Sequence, residues 1–165
     1  MIFATVGTHE DPFDRLLVEL DRLVQTGEIQ ERVHVQTGYS RHVLRVCTHE
    51  AMIGFDEVQA HMRAARVVIT HGGPASIMQA LALGKVPIVV PRQSKFGEHV
   101  DDHQVRFSQR IADRVLVVLD IAELGPMIRD HASRVVRLGA NVGGPERAQV
   151  FAARLDALCT GLVRR

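Results

Sequence analysis

The stretch at residues 67–104, VVITHGGPASIMQALALGKVPIVVPRQSKFGEHVDDHQ, decides the fold of this chain. A short apolar run at 67–69 predicts a strand, and a turn with two glycines follows it. Pro74 and Ser76 then open a helix that ends at Gly84, and a second apolar strand comes next. A helix that starts after a Gly-rich turn presents free N–H groups to an anion, as in nucleotide-binding α/β proteins. The pattern therefore predicts a site for a diphosphate-bearing ligand.

Length and composition limit the chain to one soluble domain. Its 165 residues, 46% of them hydrophobic, predict a single domain over 1–165. A net charge of +1 argues against a dedicated nucleic-acid binder. Cys47 and Cys159 do not make a disulfide framework. The sequence shows no signal segment and no apolar run of roughly 18 residues, so we expect a cytoplasmic protein that can dock on a membrane protein.

Strand and helix patterns alternate along the rest of the chain. The expected strands are at 2–6, 33–36, 42–46, 86–90 and 115–119. The expected helices are at 11–25 (capped by Asp11), 56–65 (capped by Asp56), 99–111, 121–133 and from 143–145 onward. Such alternation predicts an α/β fold with a parallel, Rossmann-like sheet and helices on both faces. Ligands of such sheets bind beyond the carboxyl ends of the strands, where Arg92 is also expected.

The first candidate site is the start of the helix in the deciding stretch. Around His71, backbone N–H groups, the helix dipole and the Ser76 hydroxyl all favour an anion such as a diphosphate. The alternative is an ordinary strand-to-helix turn. Gln79 lies one turn further along the helix, where its amide could reach a ribose. A solvated helix residue is the alternative there.

The polar loop at 92–104 allows two interpretations. His and Asp are good metal ligands, but His99 and His103 enclose Asp101 and Asp102 in a pattern unlike that of zinc proteases. The second interpretation is sugar recognition, because Asp and Gln side chains offer acceptors and donors to hydroxyl groups. We favour sugar recognition.

The turn after the first strand carries a possible acid–base group. His9 and Glu10 could act as such a pair, or Thr8 and Asp11 could simply cap the following helix. The sequence contains no G-x-S-x-G elbow, no P-loop and no G-x-G-x-x-G after the first strand. These absences disfavour a serine nucleophile, ATP hydrolysis and an NAD site, respectively.

Two segments together resemble a known enzyme family. THGGPASIMQALALGKVPIVVPR…GEHVDDHQ resembles the C-terminal, donor-binding half of family 28 glycosyltransferases. MIFATVGTHEDPFDRLL resembles the start of small bacterial exopolysaccharide glycosyltransferase subunits. Those subunits are similar to the catalytic subunit of the eukaryotic two-part N-acetylglucosaminyltransferase. The resemblance covers almost the whole chain.

The resemblance implies a single GT-B half-domain that binds a UDP-sugar. A separate, membrane-anchored polypeptide would supply the acceptor-binding half, and the chain would be peripherally membrane-associated through it. Members of the family usually invert the anomeric centre, need no metal or other cofactor for catalysis, and act on a polyprenyl-diphosphate-linked sugar. The expected setting is exopolysaccharide or capsule biosynthesis.

The resemblance also assigns individual residues. At the diphosphate it places His71, Gly72, Gly73 and Ser76. At the donor sugar it places Asp102, His103 and Gln104. Facing the partner half it places Gly7, Thr8 and His9. Gln79 stands where the wider family often has a ribose-binding Glu, and His9 is the one candidate acid–base group, because the usual base lies in the other half.

Two other functions stay open at this stage. The same fold could be a non-catalytic nucleotide-sugar-binding or scaffolding module. It could also be a metal-dependent hydrolase built on His71, His99, Asp102 and His103.

Overall fold

A computed structural model describes residues 1–139 as a six-stranded, wholly parallel sheet. Its strands are β1 Ile2–Thr5, β2 Val33–Gln36, β3 Thr48–Glu50, β4 Val67–Thr70, β5 Ile88–Val89 and β6 Leu116–Val117. Their order in the sheet is β3-β2-β1-β4-β5-β6. The chain therefore builds outward from β1 to one edge and then returns to the other side of β1. In such sheets, the junction of β1 and β4 is where the ligand crevice forms.

The described part of the chain contains six α-helices, of which four lie between strands and two follow β6. They are α1 Asp14–Gln25, α2 Phe55–Ala64, α3 Pro74–Ala82, α4 His103–Arg110, α5 Leu124–Arg129 and α6 His131–Leu138. Two short 3₁₀ turns, Ser94–Phe96 and Ile121–Glu123, precede α4 and α5.

The helices pack on both faces of the sheet, because side chains alternate along each strand. Ile2 and Ala4 of β1 join the larger core with α1, α5 and α6. Phe3, between them, faces Met62 of α2 and Ala80 of α3 on the opposite side. The α/β, Rossmann-like fold predicted from the sequence is thus confirmed.

The three central strands end at one level. Thr5 of β1 pairs in register with Gln36 of β2 and with Thr70 of β4. Each of these polar residues closes an otherwise largely apolar strand and is buried. The sheet therefore presents a row of polar side chains at the rim where ligands are expected.

The prediction of a strand at 42–46 is wrong. Its backbone N–H groups are used elsewhere: those of Arg41 and His42 donate to Asp14 on α1 at 2.7 and 2.9 Å. Those of Arg45 and Val46 donate to Asp21, which lies further along the same helix. Because α1 takes these donors, they cannot form a sheet ladder, and the third strand starts only at Thr48.

Two predicted helix caps are also wrong. The N-cap residue of α1 is Phe13 and that of α2 is Gly54, and neither makes a side-chain capping bond. Asp56 lies inside the first turn of α2, where its charge still favours the helix dipole. The strands at 86–90 and 115–119 are shorter than expected, and the first strand ends at Thr5.

The helices expected at 99–111 and 121–133 differ from the structure as well. The helix expected from 99 starts at His103, because the Asp101 carboxylate accepts the His103 N–H at 2.9 Å and shapes a turn there. The helix expected at 121–133 is a 3₁₀ turn followed by α5 and α6. The helix expected from 143–145 lies outside the described residues. Among the helices that are described, none combines the length and the apolar character needed to cross a bilayer.

Candidate functional site

A cleft of about 730 Å³ opens at the carboxyl ends of β1, β2 and β4. Its two walls come from α2 and α3, and its floor comes from the strand ends. Five of the residues singled out in the sequence line it together: Gly7, Thr8, His71, Ser76 and Gln79. The volume falls within the range of small-molecule sites.

The floor of the cleft contains two polar residues that the sequence analysis missed. The Thr5 hydroxyl donates to Oε1 of Gln36 at 2.6 Å and accepts the Gly7 N–H at 3.1 Å. This chain of bonds fixes the turn after β1 and holds Gly7 at the cleft. The sequence does contain a signal for both Thr5 and Gln36, because a polar residue ends each central strand at the same register.

The N-terminus of α3 forms one end of the cleft. Gly73 is its N-cap residue in an extended conformation, Pro74 begins the helix, and Ser76 lines the cleft. The first turn contains no acidic residue, so nothing in the helix itself neutralises the positive end of its dipole. Such an end attracts anions through its free N–H groups.

His71 is wedged between two glycines. A β-carbon on Gly7 would lie 2.5 Å from His71 Cε1, and one on Gly73 would collide with Nε2 of the same ring. Burial, followed by the charge of Arg92, lowers the pKa of His71 to about 4. The imidazole is therefore neutral near pH 7 in the free chain, and its ring N–H can donate a hydrogen bond to a phosphate.

Gln79 presents an unused donor to the cleft. Its Nε2 is buried and has no hydrogen-bond partner within residues 1–139. A buried amide without a partner costs free energy, which a ligand oxygen would recover. Across the cleft the wall is largely apolar, with Ile53, Phe55 and Val58 beside Gln59.

Gly72 packs closely against neighbouring segments and is not among the residues that line the cleft. A β-carbon there would lie 2.7 Å from Cβ of Gln104 and 3.0 Å from Cβ of Pro91. Gln104 is itself buried, and its Oε1 accepts the Arg92 N–H at 3.2 Å. The close approach of β4 to α4 therefore depends on this glycine.

Arg92 is fully buried beneath the rim, and this does not fit the expected contact between Arg92 and a ligand. Its guanidinium donates to three backbone carbonyls: those of Asp11 at 2.7 Å, Val6 at 2.9 Å and Glu98 at 3.1 Å. The ring of Phe13 lies 4.9 Å from its Cζ. Arg92 thus holds two rim loops together from below.

A second group of polar residues, His9, His99, Asp101 and His103, lies on the α4 side of the rim; we call it the rim cluster. The ring of His99 is 4.6 Å from that of His9 and 4.5 Å from that of His103. Asp101 Oδ1 is 2.6 Å from Nδ1 of His103. None of the four lines the cleft.

Asp102 does not join the rim cluster. Its Oδ1 accepts the Ser94 N–H at 2.8 Å and the Ser94 hydroxyl at 2.9 Å. These two bonds hold the pKa of Asp102 below its ordinary value. The four-residue metal site of the hydrolase hypothesis therefore lacks Asp102, and Asp101 occupies the position beside His103.

Comparison with known proteins finds a similar transferase subunit. The chain is 30% identical over 112 residues to the UDP-N-acetylglucosamine transferase subunit ALG13 of Yarrowia lipolytica. That alignment covers 61% of this chain and 55% of the relative, so the chain spans about half the length of the relative that it matches.

Solved structures show the same fold. The glycosyltransferase SnogD from Streptomyces nogalater matches with a TM-score of 0.52 at 19% identity, over 95% of this chain and 43% of that one. The glycotransferase of kitacinnamycin matches with the same TM-score and identity, over 93% of this chain and 42% of that one. The chain thus corresponds to one half of a GT-B fold. The model of the glycosyltransferase family 28 C-terminal domain matches residues 1–130, and the chain therefore belongs to that family.

Proposed function

We propose that this chain is the UDP-sugar-binding subunit of an inverting glycosyltransferase. The observation that carries the proposal is that the open N-terminus of α3, with Ser76, forms one end of a cleft of about 730 Å³ at the junction of β1 and β4. Membership of family 28 and the name of the ALG13 relative support a nucleotide-sugar donor.

The diphosphate would lie at the start of α3. The Ser76 hydroxyl and the free N–H groups of the first turn would donate to its oxygens, and neutral His71 would add a donor without adding charge. During transfer the bond from the sugar C1 to the phosphate breaks, and negative charge grows on the leaving UDP. Donors fixed in advance stabilise that charge, so we expect the transfer to need no metal.

The nucleoside would extend along α3. From Ser76 to Leu83 the wall runs about 10 Å at the helical rise per residue. Gln79 lies between these ends, and its unused amide N–H would donate to a ribose oxygen. The apolar residues Ile53 and Phe55 opposite would pack against the flat faces of a base.

The donor sugar would then reach the α4 side of the rim. His103 and the carboxylate of Asp102 are its expected contacts, together with the amide nitrogen of Gln104, since the Gln104 oxygen is already bonded to Arg92. Asp102 keeps one carboxylate oxygen outside its bonds to Ser94. Hydroxyl recognition by carboxylates and amides uses these groups.

A partner subunit would complete the enzyme. The relative named in the comparison is a transferase subunit, which supports our proposal that the acceptor half lies on a separate, membrane-anchored polypeptide. The acceptor hydroxyl would attack C1 from the face opposite the leaving UDP, which inverts that centre. Its proton would pass to a base in the partner or to His9, which lies at the rim. We propose a polyprenyl-diphosphate-linked sugar as acceptor and a hexose as the transferred group, in exopolysaccharide assembly.

Calorimetric titration with UDP, with and without chelator, tests the donor site. We expect saturable binding that the chelator leaves unchanged, and a loss of about tenfold in affinity for Ser76→Ala. Ser133→Ala, which removes a hydroxyl of α6 that donates to the Asp130 carbonyl, is the matched control. It should bind UDP as the unaltered chain does. Equal affinities in Ser76→Ala and the control would contradict the placement of the diphosphate.

A non-catalytic binding module is the second candidate, because the one acid–base candidate of the chain, His9, does not line the cleft. Co-expression with a membrane-anchored partner separates the two functions. Transfer of sugar from UDP-sugar to a lipid-linked acceptor by the pair supports the enzyme. UDP-sugar binding by a stable pair that transfers nothing supports the binding module.

A further inference from the structure

Three residues of the rim cluster bring metal-ligand atoms together. A ring nitrogen of His99, a ring nitrogen of His103 and a carboxylate oxygen of Asp101 all lie within 4.8 Å of one another. His99 is partly buried, and the other two are exposed. In the part of the chain that the structure describes, this is the one such group of three.

The spacing of these atoms suits a small cation. Zinc binds imidazole nitrogen and carboxylate oxygen at 2.0–2.2 Å, which places ligands of a tetrahedral site about 3.4 Å apart. The ligand atoms already lie within 4.8 Å of one another, and rotation of the exposed Asp101 and His103 side chains would bring them to that spacing. We propose that His99, Asp101 and His103 form a binding site for one divalent transition-metal ion, of the kind that takes two imidazoles and a carboxylate.

The backbone that carries these ligands is already fixed. Glu98, immediately before His99, is buried and accepts from Arg15 Nε at 2.8 Å and from the Gln93 N–H at 3.0 Å. Asp102, between Asp101 and His103, is held by Ser94. Because neighbouring residues anchor the loop, metal binding would need to order only side chains, and this lowers its entropic cost.

The choice of metal follows from the donors. Two imidazoles and one carboxylate suit Zn²⁺, Co²⁺ and Ni²⁺ better than Mg²⁺ or Ca²⁺, which prefer oxygen. Three protein ligands leave a fourth position for water. None of the three ligands lines the cleft, so the ion would be separate from the proposed diphosphate position. It would clamp the loop before α4 and engage His103.

Titration of the full, untagged chain with Zn²⁺ by calorimetry tests the proposal, with Co²⁺ absorption as the report on coordination. We expect one ion per chain and a Co²⁺ spectrum typical of tetrahedral coordination. His99→Gln and His103→Gln should each weaken binding by at least about tenfold. All ligands are at the surface or near it, so circular dichroism should show these variants folded.

His49→Gln is the matched control, since His49 is an exposed histidine on β3 and does not belong to the cluster. It should bind Zn²⁺ as the unaltered chain does. No saturable Zn²⁺ binding, or a loss in His49→Gln equal to that in His99→Gln, would overturn the proposal. This experiment does not measure UDP affinity. A negative zinc result therefore does not contradict the proposed donor site, and a failure to bind UDP does not contradict the proposed metal site.

Discussion

The imidazole of His71 occupies the space that a side chain on Gly7 would need: a β-carbon there would lie 2.5 Å from Cε1 of the ring. The first strand and the fourth are neighbours, and their following turns meet at this contact. The absence of a side chain at position 7 therefore sets where the imidazole can sit at the cleft.

Gly7→Ala should destabilise the chain more than an ordinary glycine substitution does. Gly7 and Gly84 share positive φ angles, +76° and +73°, but a β-carbon at Gly84 meets nothing within 4 Å among the described residues. Gly84→Ala should cost about 1–2 kcal/mol through the backbone alone. Gly7→Ala should cost more, because His71 must also move, and it should weaken UDP binding. Urea unfolding and UDP titration measure both effects; equal losses of stability would contradict the contact.

His71 should make the chain less stable in mild acid. An unperturbed histidine titrates near pH 6.5, whereas the folded pKa of His71 is about 4. Between these pH values the unfolded state binds the extra proton. The contribution of His71 to the free energy of unfolding is therefore fully present above pH 6.5. It is lost as the pH falls towards 4, and the total loss is about 3 kcal/mol.

His71→Gln tests this dependence. Its unfolding free energy should fall less steeply between pH 7.5 and 5 than that of the unaltered chain, as followed by urea unfolding. Burial also lowers the pKa values of His34 and His131, so part of the slope should remain. His49→Gln, at the exposed sheet edge, should keep the full slope. A slope in His71→Gln as steep as in this control would contradict the prediction.

Gln79→Ala should weaken UDP binding without lowering the stability of the free chain. The buried Nε2 of Gln79 has no partner in the described residues, so its removal should leave the free protein equally stable or slightly more stable. The same change removes the donor that we propose for the ribose and should weaken UDP binding by about tenfold. Calorimetry and urea unfolding of the one variant report both. A loss of stability of more than about 1 kcal/mol would show that the amide is satisfied in the free chain.

Arg92→Met should be severely destabilising. It leaves the carbonyls of Val6, Asp11 and Glu98 without their donor, and each such loss costs about 1–3 kcal/mol. Arg66→Met is the control, because Arg66 is a half-exposed arginine paired with Glu31. That exposed pair contributes less than about 1 kcal/mol. Comparable urea midpoints for the two variants would rule out the anchoring by Arg92.

Much of the fold could be predicted from the sequence, because apolar runs and glycine turns are local signals. The strands at 33–36 and 67–70 and the start of α3 are examples. The misplaced third strand had a non-local cause, since Asp14 and Asp21 of α1 take the N–H groups of the segment at 41–46. No pattern within that segment reveals a competing acceptor on another element.

Part of the candidate site could likewise be predicted from the sequence, and part could not. Gly7, His71, Ser76 and Gln79 meet in one cleft because they follow adjacent parallel strands, which is a rule of topology. The burial of Arg92 depends on three carbonyls from two loops that are far apart in sequence, and the separation of Asp101 from Asp102 depends on Ser94. Side-chain direction at such points is set by tertiary contacts and cannot be read from residue type.

The three carbonyls bound by Arg92 also have a mechanical consequence. They come from the end of the first strand, from the turn before α1 and from the loop before α4, so one guanidinium fastens together the segments that flank the cleft. We expect loops joined in this way to move as a unit. If a second half closes over a bound donor, as we propose, the closing motion should therefore be a rotation of whole lobes about their connection, while the donor side keeps its shape.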